Sequence, residues 1–303
     1  MKDPNPISEE VVLGTAQLGI NYGITNTSNI PTQISANKLI AAAWNLGIRQ
    51  FDTAQAYPNS ENFLGKAIDQ IEHQQEAKVV TKIHPNLQSA TSDNVFNSIK
   101  SSLKSLQAKS VWGCMLHNHD MLDYWDKALG SGLRKAKDLG LLQNLGVSVY
   151  TAKQAHRALD HEGISIIQVP SNAWDHSMID AGVFQKAKEL NKIIFVRSLY
   201  LQGILLSPPE LVKSKLPQAY KLSLIWHQFL LTHKLSAHSF ALQFGKSLKS
   251  PLVIGSDSTE QLAETVNTYK HMTLQQSLIE EWKGICQPLV TESIINPTMW
   301  SYN

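Results

Sequence analysis

GIRQFDTAQAYPNSENFLGKAIDQIEHQQEAKVVTK, residues 47–82, holds a short apolar run (IRQFD, 48–52), an amphipathic segment of helical length (ENFLGKAIDQIE, 61–72) and a second apolar run (KVVTK, 78–82). Read as strand, helix and strand, it is one unit of a parallel α/β architecture. The alternation continues outward in both directions. VVLG (11–14) precedes it, and VWGCML (111–116), LQNLGVS (142–148), ISIIQV (164–169), KIIFV (192–196) and PLVIG (251–255) follow. Amphipathic segments such as SANKLIAAAWNLG (35–47) and SDNVFNSIKSSLKSL (92–106) lie between them. Each strand-like run is close to continuously apolar instead of alternating, as strands covered by helices require. Eight such units predict a closed (β/α)8 TIM barrel over an open sheet. Gly47, Gly140 and Gly163 stand where helices would end on a left-handed C-cap. The longest gap, 197–250, carries AYKLSLIWHQFLLTHK (219–234) and SAHSFALQFGKSL (236–248); QQSLIEEWKGI (275–285) adds another helix near the C-terminus, where Trp300 is placed to fold back. Without a linker or internal repeat, residues 1–303 read as a single barrel domain.

Composition narrows the function. Hydrophobic residues are 43% and charged residues 17%, so there is ample material for a core and no case for disorder. A net charge of +2, with no Lys/Arg run, gives no electrostatic footprint for nucleic acid. Cys114 and Cys286 lie far apart and form neither a disulfide framework nor a zinc pattern, which fits a reducing, cytoplasmic setting. No signal-like segment and no apolar stretch long enough to span a membrane occurs.

In such a barrel the reactive groups stand at the C-terminal ends of the strands. Asp52 closes the second strand and Tyr57 follows in the next loop; Lys82 closes the third strand and His117 the fourth. A carboxylate, a phenol, an amine and an imidazole from three consecutive strands would therefore converge at one side of the barrel mouth. Taken singly, Asp52 and Lys82 suit a structural ion pair, His117 a hydrogen-bonded structural histidine, and Tyr57 a cover for the mouth. The joint pattern is what points to chemistry. A tyrosine holds its proton at neutral pH, and a cation at Lys82, held by Asp52, would ease its release. Hydrogen bonds from Tyr57 and His117 would strengthen as a carbonyl oxygen turned alkoxide-like, with no metal required. His84 and His119 read as rim residues within reach of a substrate.

These residues resemble the catalytic tetrad of the aldo-keto reductase superfamily. The similarity runs from LGTAQLGINYG (13–23) through FDTAQAYPNSENFLG, VVTK, MLHNHD, GVSVY and IIQVPSN to VIGSDSTEQLAET (253–265), and the FDTAxxY…E…LG segment is its most specific part. The resemblance implies hydride transfer between NAD(P)H and a small carbonyl or alcohol, with Tyr57 as general acid. It implies an extended nucleotide over the barrel mouth, in place of the GxGxxG cradle that is absent here. By that likeness Gly14, Thr15 and Ala16 lie near the nicotinamide ribose, and Ser148 and Gln168 bind the carboxamide. Val149 stands where the family often has Asn. Arg197 replaces the usual stacking aromatic, with Tyr200 as the other alignment, while Ser198 and Leu201 face the diphosphate. Gly255, Ser256, Asp257, Gln261 and Glu264 lie along the nucleotide's far end, where Ser258 or Thr259 caps a helix. That stretch lacks the Lys or Arg that holds a 2′-phosphate, so weak discrimination or a preference for NADH is expected. Asn21, Tyr22, Trp174, His176, Tyr200 and Gln202 are the expected substrate walls, a polar set that suits a sugar-like or amino-acid-derived carbonyl. Two other readings use the same residues: a non-catalytic nicotinamide-binding barrel serving as a redox sensor or interaction subunit, and a non-redox lyase or isomerase forming a Schiff base on Lys82.

Overall fold

Strand residues divide into two apolar populations, one facing the barrel axis and one facing the helices. The computed structural model describes residues 7–20, 23–24, 31–87 and 89–300. Its strands are β1 (Val11–Gly14), β2 (Gln50–Asp52), β3 (Lys78–Ile83), β4 (Val111–Leu116), β5 (Leu142–Ser148), β6 (Ile166–Pro170), β7 (Ile193–Arg197) and β8 (Leu252–Gly255). They pair in parallel in sequence order, and β8 closes on β1 through Val12↔Val253 and Gly14↔Gly255. The (β/α)8 barrel is therefore as expected, with further helices at Tyr220–Thr232, Ala237–Ser247 and Gln276–Cys286. The ladders of β2 and β6 begin two residues later than the apolar runs, because Ile48 and Ile164 are buried in packing outside the ladder.

Inside the barrel, Val12, Val80, Met115, Ile166 and Phe195 form one cluster, with Trp112, Ile193 and Val253 against it. Large side chains on some strands require their absence on others. A Cβ on Gly146 would lie 2.6 Å from the Ile166 carbonyl oxygen and 3.0 Å from Met115 Cγ. Toward the C-terminal ends the strands change character, from these apolar residues to Asp52, Lys82, Ser148, Gln168 and Arg197. Outward-facing residues such as Leu13, Phe51, Ile83, Leu116, Val147 and Ile167 join the buried faces of the surrounding helices.

Several helices start on hydroxyl caps: Thr32, Thr91, Ser236, Ser258, and Thr151, which forms a capping box with Gln154; of these Ser258 is the one expected from sequence. Gly47 and Gly140 have positive φ, as expected of C-caps, but Gly163 does not. Gly163 is small for another reason: a Cβ there would stand 2.5 Å from the Trp125 ring. The helix Gln276–Cys286 clamps the loop after β6, with Trp282 Nε1 donating to the Ala173 oxygen (2.6 Å) and Lys283 paired with Asp180 (2.5 Å). Trp300 folds back into the core cluster. Among the described residues, no helix is long and apolar enough to cross a membrane.

Candidate active site

The loop after β2 continues the sheet before it turns. Thr53 N–H donates to the Val80 oxygen (2.9 Å) and Gln55 N–H to the Lys82 oxygen (3.0 Å). The chain then bends at Tyr57, whose N–H donates to the Ala54 oxygen and whose own oxygen accepts from Ser60 N–H. Three hydroxyls lock this bend to the barrel: Ser60 Oγ lies 2.9 Å from Thr15 Oγ1 and 3.0 Å from Thr53 Oγ1, and Thr15 Oγ1 donates to the Asp52 oxygen. Gly19 closes the arrangement from the β1 side. A Cβ there would meet the Pro58 oxygen at 2.3 Å and the Tyr57 carbonyl carbon at 2.8 Å, so the loop bearing Tyr57 rests directly on glycine.

Beneath Tyr57, Lys82 Nζ lies 2.6 Å from both Asp52 oxygens and 3.2 Å from the Thr53 oxygen. The pair is almost wholly buried. Gln168 Nε2 reaches across from β6 to Asp52 Oδ1 (2.9 Å). Lys82 Nζ stands 5.6 Å from the centre of the Tyr57 ring, and the His117 ring meets Tyr57 edge to face at 6.0 Å. The structure thus brings Asp52, Tyr57, Lys82 and His117 together.

Electrostatics differ from expectation in one respect. Burial and the Asp52 carboxylate raise the Tyr57 phenol above its ordinary value, and the cation acting to lower it is Arg197. Lys82, expected in that role, has its charge matched at once by Asp52. His117 is pushed down to about 4 by burial, with Lys82, His84 and Arg197 adding to the effect. It is therefore a neutral imidazole at physiological pH, and its Nδ1 is buried without a partner.

From this cluster a cleft of about 460 Å³ runs past Gly14, Ala16 and Gln168 to Asp257, Gln261 and Thr265. A profile of the aldo/keto reductase family matches residues 10–287. The chain belongs to the aldo/keto reductase family. It is 30% identical over 164 residues to a D-galacturonate reductase of Fragaria ananassa, covering 46% of this chain and 50% of that protein. It is 33% identical over 135 residues to the methylglyoxal reductase DkgB of Yersinia pestis, covering 43% and 49%. The chain spans about half the length of the curated relatives it matches. The solved glycerol dehydrogenase of Gluconobacter oxydans shares the fold, with a TM-score of 0.70 at 19% identity over 95% of this chain and 93% of that one.

Within this aldo/keto reductase fold, the other expected residues divide by position. Gly14, Ala16, Gln168, Arg197, Ser198, Tyr200, Gln202, Gly255, Asp257 and Gln261 line the cleft. Ser148 pairs with Gln168 in the β5–β6 ladder and is buried beside it. Four residues expected to touch the nucleotide are placed elsewhere. Thr15 turns its hydroxyl into the Asp52–Ser60 lock. Leu201 is fully buried in the core, and Ser256 is buried, donating to the Ser258 oxygen. Glu264 is exposed and does not line the cleft itself, although its carboxylate acts on Tyr200 and His238, which do.

Among the expected substrate walls, Trp174 and His176 are also outside the cleft. Trp174 packs edge to face on Trp226, and His176 bonds the Ala173 oxygen and packs on Phe244; the C-terminal helix holds their loop down. Asn21 and Tyr22 lie outside the described residues. Sequence reading missed Gly19, Gln17, Tyr150 and His238. The steric role of Gly19 and the contact of Tyr150 with Arg197 exist only across the fold, so no local pattern signals them.

Proposed function

We propose that this aldo/keto reductase family member is an NAD(P)H-dependent oxidoreductase interconverting a small polar carbonyl and its alcohol, with Tyr57 as the proton donor. The observation carrying this reading is the buried Asp52–Lys82 pair with Tyr57 and neutral His117 gathered around it at the strand ends. The names of the curated relatives, a galacturonate and a methylglyoxal reductase, support a small oxygenated substrate.

The cleft suits a nicotinamide nucleotide in size and lining. Gln168 keeps its amide oxygen for a carboxamide, since one of its N–H groups serves Asp52. Gly14, Ala16, Arg197 and Ser198 would flank the ring and ribose, and Asp257 and Gln261 the far ribose. When bound, the nucleotide supplies or accepts the hydride. A Tyr57 phenol raised by burial holds its proton until the substrate oxygen becomes strongly basic. His117, uncharged, donates an N–H to the same oxygen and orients the carbonyl.

The Schiff-base reading fares poorly, because all three Lys82 donors are committed to Asp52 and Thr53. The sensor reading predicts no turnover and is separated by assay. Reduced-nicotinamide absorbance, followed with a carbonyl panel and both nucleotides, tests the proposal. Tyr57→Phe should cut turnover by about a hundredfold or more while nucleotide affinity stays within a few-fold. Near-normal turnover in that variant would remove Tyr57 from the mechanism.

A further inference from the structure

β7 ends at Arg197, whose guanidinium has three defined neighbours. Nη2 donates to the Val149 oxygen (2.9 Å), Nη1 donates to Ser198 Oγ (3.1 Å), and Cζ stands 4.4 Å from the centre of the Tyr150 ring. The guanidinium is thus held at two N–H groups, with its central carbon over the Tyr150 ring. Arg197 also lines the cleft that contains Tyr57 and Gln168, whereas Tyr150 does not. The guanidinium is therefore within reach of a ligand in the cleft, and Tyr150 supports it from outside.

Its charge is not cancelled locally. Among the described residues no carboxylate lies at ion-pair distance from Arg197. Asp52 is matched by Lys82. Asp175, which does feel Arg197, is buried, accepts from Ser177 Oγ (2.6 Å) and has its ionisation disfavoured by burial. Among the described residues lining the cleft, Arg197 is the one Lys or Arg.

We infer that Arg197 makes the cleft discriminate between the redox states of a nicotinamide nucleotide, favouring the reduced, uncharged ring over the oxidised, cationic one. The inference rests on the function proposed above and deepens it. A dihydronicotinamide stacks on a guanidinium without electrostatic penalty. A nicotinamide cation in the same place meets a like charge inside a cleft that water screens incompletely. An aromatic residue at this position would act in the opposite sense, since a ring face attracts a cation. Attraction between Arg197 and the diphosphate is common to both redox forms and cancels in their ratio. The consequence is a site that retains the reduced nucleotide and releases the oxidised one readily.

Calorimetric titration of the full chain with oxidised and reduced forms of both NAD and NADP measures this directly, without turnover. The quantity read is the ratio of the oxidised to the reduced dissociation constant. Arg197→Gln, planar and neutral, should lower that ratio by on the order of tenfold or more. Arg197→Lys, charged but not planar, should bind both forms more weakly and keep the ratio within about threefold of wild type. An unchanged ratio in Arg197→Gln, or a lysine variant that loses the ratio as the glutamine variant does, would overturn the inference while leaving the proposed function standing. Failure of the wild type to bind either form would overturn both.

Discussion

At the scale of single residues, the site is governed by burial. His117 titrates at about 4 in the folded chain against about 6.5 for an unperturbed imidazole. The folded value is depressed, so its contribution to stability is full above pH 6.5 and is lost as pH falls toward and through 4. The same shift keeps the imidazole neutral through the physiological range. The acid limb of kcat/KM for carbonyl reduction assignable to His117 should therefore fall near pH 4; a limb near 6.5 that vanishes in His117→Asn would contradict this. The Asp52–Lys82 pair makes a different demand. Lys82→Met leaves a buried carboxylate with Gln168 but without its cation, and should destabilise by about 3–5 kcal/mol in urea unfolding. Adding Asp52→Asn to Lys82→Met should restore part of that loss, and strictly additive losses would show that the two side chains are not coupled. For turnover, Lys82→Met should be the more damaging single change, because Asp52→Asn also removes the charge that raises the Tyr57 phenol.

At the scale of elements, two glycines position the loop and helix that follow β2. Gly65 lets the helix Ser60–Asp69 touch the end of the helix Ser92–Ser105, where a Cβ would lie 2.5 Å from the Leu106 carbonyl carbon. Gly19 lets the turn after β1 support the backbone at Tyr57 and Pro58. The same substitution should thus have different outcomes. Gly65→Ala forces two helices apart and should lower stability by roughly 1–3 kcal/mol. Gly19→Ala moves the Tyr57 loop, so its loss in kcat should exceed what its thermal unfolding midpoint accounts for. Equal, small effects on both readouts would mean that the loop accommodates the methyl. This also explains why FDTAxxY…E…LG is readable as a unit: its glutamate, Glu61, accepts from Thr81 Oγ1 (2.5 Å) on β3, and its glycine seats the helix on its neighbour.

At the scale of the whole molecule, cofactor choice depends on how one end of the cleft is charged. Gln261 turns its amide oxygen toward the Asp257 N–H (2.8 Å) and Ser256 Oγ (3.2 Å), and Asp257 is exposed at the cleft edge. A 2′-phosphate would meet a carboxylate there, while Arg197, the one Lys or Arg among the described lining residues, stands near Tyr57 instead, so NADPH should bind no more than tenfold tighter than NADH. Asp257→Arg should move the ratio of dissociation constants toward NADPH by on the order of tenfold or more. A wild type preferring NADPH by more than tenfold would mean that a cation from elsewhere in the chain holds the phosphate.

The sequence by itself determined the barrel and which polar residues stand at its strand ends. Strand runs, helix caps and the order of Asp52, Lys82 and His117 are local or periodic features, and a parallel barrel places successive strand ends side by side. Only the tertiary structure decided which of these side chains share one cleft and which charges act on each other. Trp174 and His176 follow a strand as promisingly as Arg197 does, yet the C-terminal helix, more than a hundred residues away in sequence, holds their loop in the core. Lys82 and Arg197 are both cations at strand ends, yet Asp52 cancels the first and nothing at ion-pair distance among the described residues cancels the second. Burial and Coulomb interaction depend on distance in space, and strand order in the chain fixes which side chains are neighbours but not which of them face the same solvent-filled groove.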